Sequence, residues 1–198
     1  MLKVLIAVPT FENIEPDCFK SLWFLHHLEN SCIYFDFVRG YDCARARNQI
    51  AQRAIGDEFD YVLMTDSDNI LPCDALVKLF AAGKDIILGW YPRKFSSSGQ
   101  TELFRMSETD YTNETNISIS QLPEDMVMEI RGGGMGCALI KTDVFRAMPT
   151  KTWFRYINYD NGYVLSEDLF FCDEARKAGY KIFCHTGVRC GHICKNII

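Results

Sequence analysis

Tyr61-Val-Leu-Met64-Thr65-Asp66-Ser67-Asp68-Asn69 is the stretch on which the fold turns. The apolar run 61–64 reads as a strand covered on both faces, as in a parallel sheet. The polar run begins at the carboxyl end of that strand, where open α/β sheets bind ligands. On extended backbone, residues two apart point to the same side, so Asp66 and Asp68 present two carboxylates together. Such a pair suits a hard divalent cation, which takes oxygen ligands and bridges to phosphates. Asp, Ser and Asn are also turn formers, and a plain turn remains an equal reading of these residues alone.

Outward from this stretch, strand-like and helix-like segments alternate. On the amino-terminal side, residues 4–8 and 33–38 read as strands, with a helical stripe of Phe19, Leu22, Trp23 and residues 25–28 between them. Asp42 is placed to cap a helix that runs through Ile55, with Gly56 behind it. On the carboxyl-terminal side, a helix over 73–82 stops at Gly83, and residues 85–90 form a fourth strand. Residues 94–128 break the pattern. Ser96-Ser-Ser-Gly99 and Gln121-Leu-Pro123 mark an irregular excursion, and excursions of that length are usually functional or mobile. The core resumes with Gly132-Gly-Gly134, a strand over 137–140, a short helix from Asp143, a helix from Ser166 to Gly179 and a closing strand over 181–184. This order predicts one α/β domain over 1–198, Rossmann-like, with a mostly parallel central sheet flanked by helices.

Composition sets the outer bounds. A chain of 198 residues is one domain by size and buries about 70% of its unfolded surface without staples. Apolar residues at 48% and charged residues at 24% are globular values. A net charge of −5 argues against a nucleic-acid binder, which carries a basic face. No apolar run approaches the ~20 residues of a membrane-spanning helix. The amino terminus lacks a cleavage site and reads as a strand, which predicts a cytoplasmic protein whose nine cysteines stay reduced.

Further motifs each carry a plain structural reading beside a chemical one. Ser166-Glu167-Asp168 starts a helix: its carboxylates interact favourably with the helix dipole, or a rigid helix start places a general base. Gly132-Gly-Gly134 with Gly136 is a bulge entering a strand, or a close approach of backbone to ligand. Arg39, Arg45, Arg47 and Arg53 form a solvated helix face, or lie near an anionic ligand. Cys184, His185, Cys190, His192 and Cys194 raise a zinc reading, which the absence of a Cys-x-x-Cys pair weakens. After the first strand stands Pro9-Thr10-Phe11-Glu12, so the dinucleotide and P-loop glycine patterns are absent.

Together these pieces resemble the GT-A class of nucleotide-sugar glycosyltransferases, over most of the chain except 94–128. The resemblance rests on Val8-Pro9-Thr10, Asp66-Ser67-Asp68, Gly132-Gly-Gly134, Ser166-Glu167-Asp168 and His192, in that order, with Ala46-Arg47-Asn48 similar to an Arg-Asn helix start of the class. It implies a metal-dependent, inverting sugar transfer from a UDP- or GDP-sugar to an unknown acceptor hydroxyl. Asp68 would hold Mn²⁺ or Mg²⁺ directly, Asp66 would bind the metal or the donor ribose, and His192 would contact the metal or the diphosphate. Pro9, Thr10 and Glu12 would line the base and ribose pocket. Arg39, Arg47, Ser67, Gly133 and Gly134 would complete the donor side. Asp168 would be the general base, Glu167 would orient an acceptor hydroxyl or support the helix start, and 94–128 would lie on the acceptor side. The class often carries an acidic run after the second strand where this chain has Val38-Arg39-Gly40, so that contact to the base or ribose is missing. A nucleotidyltransferase and a non-catalytic nucleotide-sugar or glycan-binding module are the alternatives on a similar scaffold.

Overall fold

The structure is a computed structural model, and it describes residues 1–40, 42–94, 99–106, 111 and 115–194. The first half of the chain supplies β1 (Leu2–Thr10), α1 (Pro16–Trp23), β2 (Ser31–Arg39), α2 (Cys43–Gly56) and β3 (Tyr61–Thr65). It continues through β4 (Asn69–Ile70), α3 (Ala75–Ala81) and β5 (Ile86–Trp90). Next come β6 (Gln100–Phe104), β7 (Asn116–Ser118), β8 (Val127–Ile130), β9 (Gly132–Gly133), β10 (Cys137–Lys141) and α4 (Thr142–Ala147). The chain closes with β11 (Ile157–Asn158), β12 (Val164–Leu165), α5 (Glu167–Lys177), β13 (Ile182–Arg189) and β14 (Gly191–His192).

Seven strands form the central sheet in the order β2-β1-β3-β10-β5-β13-β8. β1 pairs in parallel with β2 and β3, and β13 pairs in parallel with β5. β10 runs antiparallel between β3 and β5, and β8 runs antiparallel on β13. Five strands therefore share one direction and two oppose it.

Side chains alternate along each strand and build a core on either face. Leu5, Ala7, Val62 and Met64 pack with Ile50 of α2, Phe145 of α4 and Phe171 of α5. Val4, Ile6, Val8 and Leu63 pack with Leu22 of α1 and Leu76 of α3. Asp42 caps α2 as its position predicts, accepting from the Arg45 N–H at 2.7 Å. α1 ends at Trp23, shorter than the expected stripe; Leu22 is buried, whereas Phe19 and Trp23 of the stripe are exposed. No helix among the described residues is long and apolar enough to cross a membrane.

The run 94–128 differs from the irregular excursion its composition predicts. β6 and β7 pair antiparallel within it and join β9 in a three-stranded sheet, and Leu103 and Ile117 enter the core. The pattern is hidden because polar residues occupy buried positions. Thr101 donates to the Ile117 carbonyl at 2.7 Å, and the Asn116 amide donates to the carbonyls of Thr101 and Leu103. Residues 95–98, 107–110 and 112–114 of this run lie outside the described residues.

Candidate active site

β1 is flanked by β2 on one side and β3 on the other, so the strand order reverses between β1 and β3. The crevice at the carboxyl ends of such strands is where α/β sheets bind ligands. Asp66 and Asp68 stand there, one and three residues past the end of β3. Because β10 runs against β3, its first residue, Cys137, pairs with Thr65. The glycine-rich approach to β10 is thereby laid beside the carboxylates. Gly136 has no room for a side chain: a Cβ there would sit 2.0 Å from the Asn69 amide nitrogen and 2.9 Å from Asp66 Oδ2. The Asn69 amide donates to the Gly136 carbonyl at 2.9 Å, which locks the loop to the carboxylate stretch.

Arg47 is the buried centre of the site. Its guanidinium meets Asp66 at 2.7 Å through Nη2, and Glu167 and Asp168 through Nη1. One cation thus faces three carboxylates at 2% exposure. Burial pushes the Asp168 carboxyl from 3.8 up to about 7; Arg47 opposes the rise, while Glu167 and Asp66 add to it. The Met135 backbone N–H bonds to the same carboxyl. Glu167 bonds the Tyr156 side chain. Ser166 occupies the N-cap position of α5, but its side chain makes no capping bond, contrary to its expected role; it lines a cavity instead.

Asp68 is held between two groups from distant parts of the chain. Its Oδ2 takes the Lys94 ammonium, and its Oδ1 lies 3.8 Å from His192 Nε2. β14 pairs with β4, setting His192 opposite Asn69, and the Ile193 N–H donates to the Asp68 carbonyl. His192 Nδ1 lies 2.8 Å from the Pro92 carbonyl. A carbonyl only accepts, so Nδ1 carries the proton in the neutral ring and Nε2 presents a bare lone pair to the carboxylate. His192 Nε2 and Asp68 Oδ1 thus face each other at 3.8 Å, and the Lys94 ammonium meets the same carboxylate through Oδ2. A second nitrogen tied to a backbone carbonyl is the usual support for a metal-binding histidine. The Asp68 carboxylate suits Mn²⁺ or Mg²⁺, and the imidazole fits the softer Mn²⁺ better than Mg²⁺. Among the described residues, no three His, Cys, Asp or Glu side chains are already gathered for an ion, and this holds for the Cys/His-rich carboxyl end as well. Cys184 and Cys190 of that stretch are buried, and Cys194 is exposed.

Three cavities run along this edge. One of about 320 Å³ contains Pro9, Asp66, Ser67, Asp68, Lys94 and His192. A second of about 490 Å³ contains Asp168, Gly134, Phe104, Tyr111 and Tyr163. A third of about 370 Å³ is lined by Phe11, Glu12, Arg39 and Gly40. Thr10, the last residue of β1, pairs with Arg39 beside it. Gly133 is buried, with Leu103 and Leu88 around the space a Cβ would take. Arg47, expected on the donor, has its guanidinium engaged by the three carboxylates. The sequence reading passed over Arg93, Lys94 and Glu102. Arg93 and Lys94 were accessible to it, because they follow a buried strand as Asp66 does; Glu102 carried no signal, because the surrounding run looks irregular.

No family model matches the chain, and no curated protein sequence matches it. Solved structures do. That of A197 from STIV has a TM-score of 0.63 at 16% identity, covering 98% of this chain and 87% of that one. That of GalNAc-T7 with UDP, GalNAc and Mn²⁺ has a TM-score of 0.56 at 12% identity, covering 98% of this chain. This chain has a glycosyltransferase-like fold. It corresponds to 44% of the GalNAc-T7 chain, so it matches part of that protein.

Proposed function

We propose that this protein is a glycosyltransferase that moves a sugar from a nucleoside-diphosphate sugar to an acceptor hydroxyl. The observation that carries the reading is Arg47: one buried guanidinium holds both Asp66, in the cavity with His192, and Asp168, in the neighbouring cavity. Arg47 thereby links the cavity read here as the donor side to the one read as the base side. The solved GalNAc-T7 structure, with UDP, GalNAc and Mn²⁺, supports a nucleotide sugar and a divalent cation as the ligands.

In this reading Asp68 and His192, with Asp66 beside them, hold Mn²⁺ or Mg²⁺. The cation, when bound, stabilises the negative charge that grows on the leaving diphosphate. Lys94 adds a protein-borne positive charge in the same cavity. Pro9, Thr10, Glu12 and Arg39 bind the nucleoside, and Ser67 and Gly134 line the path of the donor. Asp168 takes the acceptor proton, and Glu167 holds Arg47 and the start of α5 in place. Attack from the Asp168 side, away from the diphosphate, inverts the anomeric centre.

Calorimetry with UDP and with GDP, with and without Mn²⁺, tests the donor site. Wild-type protein should bind one of them more tightly with the cation, and Asp68→Ala should lose that gain while its circular dichroism is unchanged. Equal affinity with and without Mn²⁺ in the wild type overturns the assignment.

A further inference from the structure

The cavity that holds Asp68 and His192 and the cavity that holds Asp168 adjoin. Among the described residues, Arg93 and Glu102 are the side chains that line both. A group handed from a diphosphate in the first cavity to a nucleophile in the second has to pass this junction. Both residues stand on paired backbone. The Arg93 N–H donates to the Gln100 carbonyl at 2.8 Å, the Gly134 N–H donates to the Glu102 carbonyl at 2.9 Å, and Pro92 bridges Thr101. The neighbouring residues face elsewhere: Pro92 accepts from His192 and Lys94 meets Asp68. The short segment after β5 thus serves the cation side and the junction together.

Arg93 Nε and Glu102 Oε1 are 3.6 Å apart, beyond a direct hydrogen bond, so donors and acceptors on both remain available to a third group. A guanidinium donates to hydroxyl oxygens and a carboxylate accepts from hydroxyl protons, so the pair matches adjacent hydroxyls on a sugar ring. Their charges offset each other, which leaves no net attraction for an anion. A carboxylate on the sugar would meet Glu102 as a like charge.

We propose that Arg93 and Glu102 read the transferred sugar, selecting a neutral hexose with free hydroxyls over a uronic acid. This rests on the glycosyl-transfer reading and adds to it the residues and the class of sugar.

The test is calorimetry in the presence of Mn²⁺ on wild type, Glu102→Gln and Arg93→Met. The probes are UDP, UDP-glucose and UDP-glucuronate, with GDP, GDP-mannose and GDP-mannuronate as the guanine set. The wild type should prefer the neutral sugar nucleotide by about tenfold, a difference of about 1.4 kcal/mol. Glu102→Gln should narrow that preference to within about threefold and leave the bare diphosphate within about twofold. Arg93→Met should weaken the neutral sugar nucleotide about tenfold, again sparing the diphosphate, which also serves as the control for folding. An unchanged preference in Glu102→Gln, or an equal loss for diphosphate and sugar nucleotide, overturns the assignment and leaves glycosyl transfer standing. Failure of wild type to bind either diphosphate overturns both.

Discussion

Arg47 sets the electrostatics of the site, because it brings one positive charge to three carboxylates where water is scarce. Removing one partner of a buried ion pair leaves the others uncompensated, at a cost of about 3–5 kcal/mol. Arg47→Gln should lose about that much in urea unfolding; a loss below about 1 kcal/mol, the range of exposed pairs, would contradict the buried arrangement. The surplus of negative charge also explains Asp168. Burial raises its carboxyl to about 7, Glu167 and Asp66 reinforce the rise, and Arg47 limits it. A general base works in its ionised form, so turnover should climb as pH rises through about 7 and level off above it. Asp168→Asn should lower turnover by at least about 10² and abolish that limb, with nucleotide affinity nearly unchanged. A wild-type profile that stays flat from about pH 5 to 9 would remove Asp168 from the base role.

At the scale of elements, the glycine-rich approach to β10 works by close packing. A Cβ on Gly134 would stand 2.1 Å from the Tyr91 hydroxyl oxygen. Tyr91 is buried, accepts from the Gly136 N–H at 3.1 Å, and meets the His192 ring edge-on at 5.0 Å between centroids. Gly134→Ala therefore displaces a side chain that supports both the loop and His192. It should destabilise by about 1–3 kcal/mol, the usual cost of overpacking, and weaken Mn²⁺-dependent nucleotide binding. Gly56, at the end of α2, has nothing within 4 Å of its Cβ position. Gly56→Ala should be neutral or stabilise by up to about 1 kcal/mol by narrowing the unfolded ensemble. Thermal or urea unfolding of the two variants side by side checks the contrast, and equal effects would refute it.

At the scale of the whole molecule, strand order brings the pieces together. β3, β10 and β5 occupy the middle of the sheet, and β2 forms one edge. Hydrogen exchange should be slowest in β3 and β10. The strands β6 and β7 should also be protected, through buried Thr101 and Asn116 and core residues Leu103 and Ile117. Exchange of residues 100–104 and 116–118 as fast as an exposed loop would argue against their packing. Much of this fold was legible in the sequence. The strands β1, β3 and β5 appear as apolar runs and Asp42 as the cap of α2; Asp66 and Asp68 do follow a strand end, but they lie in a turn closed by the Asn69 N–H on the Asp66 carbonyl, not on the extended backbone expected of them. Those signals are local: they depend on side-chain period and on neighbours a few positions away. The buried polar positions of β6 and β7 hid their strands, because hydrogen bonds that satisfy Thr101 and Asn116 leave no mark in a hydrophobic pattern. What the sequence by itself determined is therefore the set of apolar strands and capped helices, and which polar residues follow the end of β3. Only the tertiary structure decided that β10 inserts antiparallel between β3 and β5, that Arg47 joins Asp66 to Glu167 and Asp168, and that Arg93 and Glu102 share a junction. The Arg47 partners lie between 19 and 121 positions away along the chain. Their meeting depends on sheet order and register, which are set by the closure of the whole core.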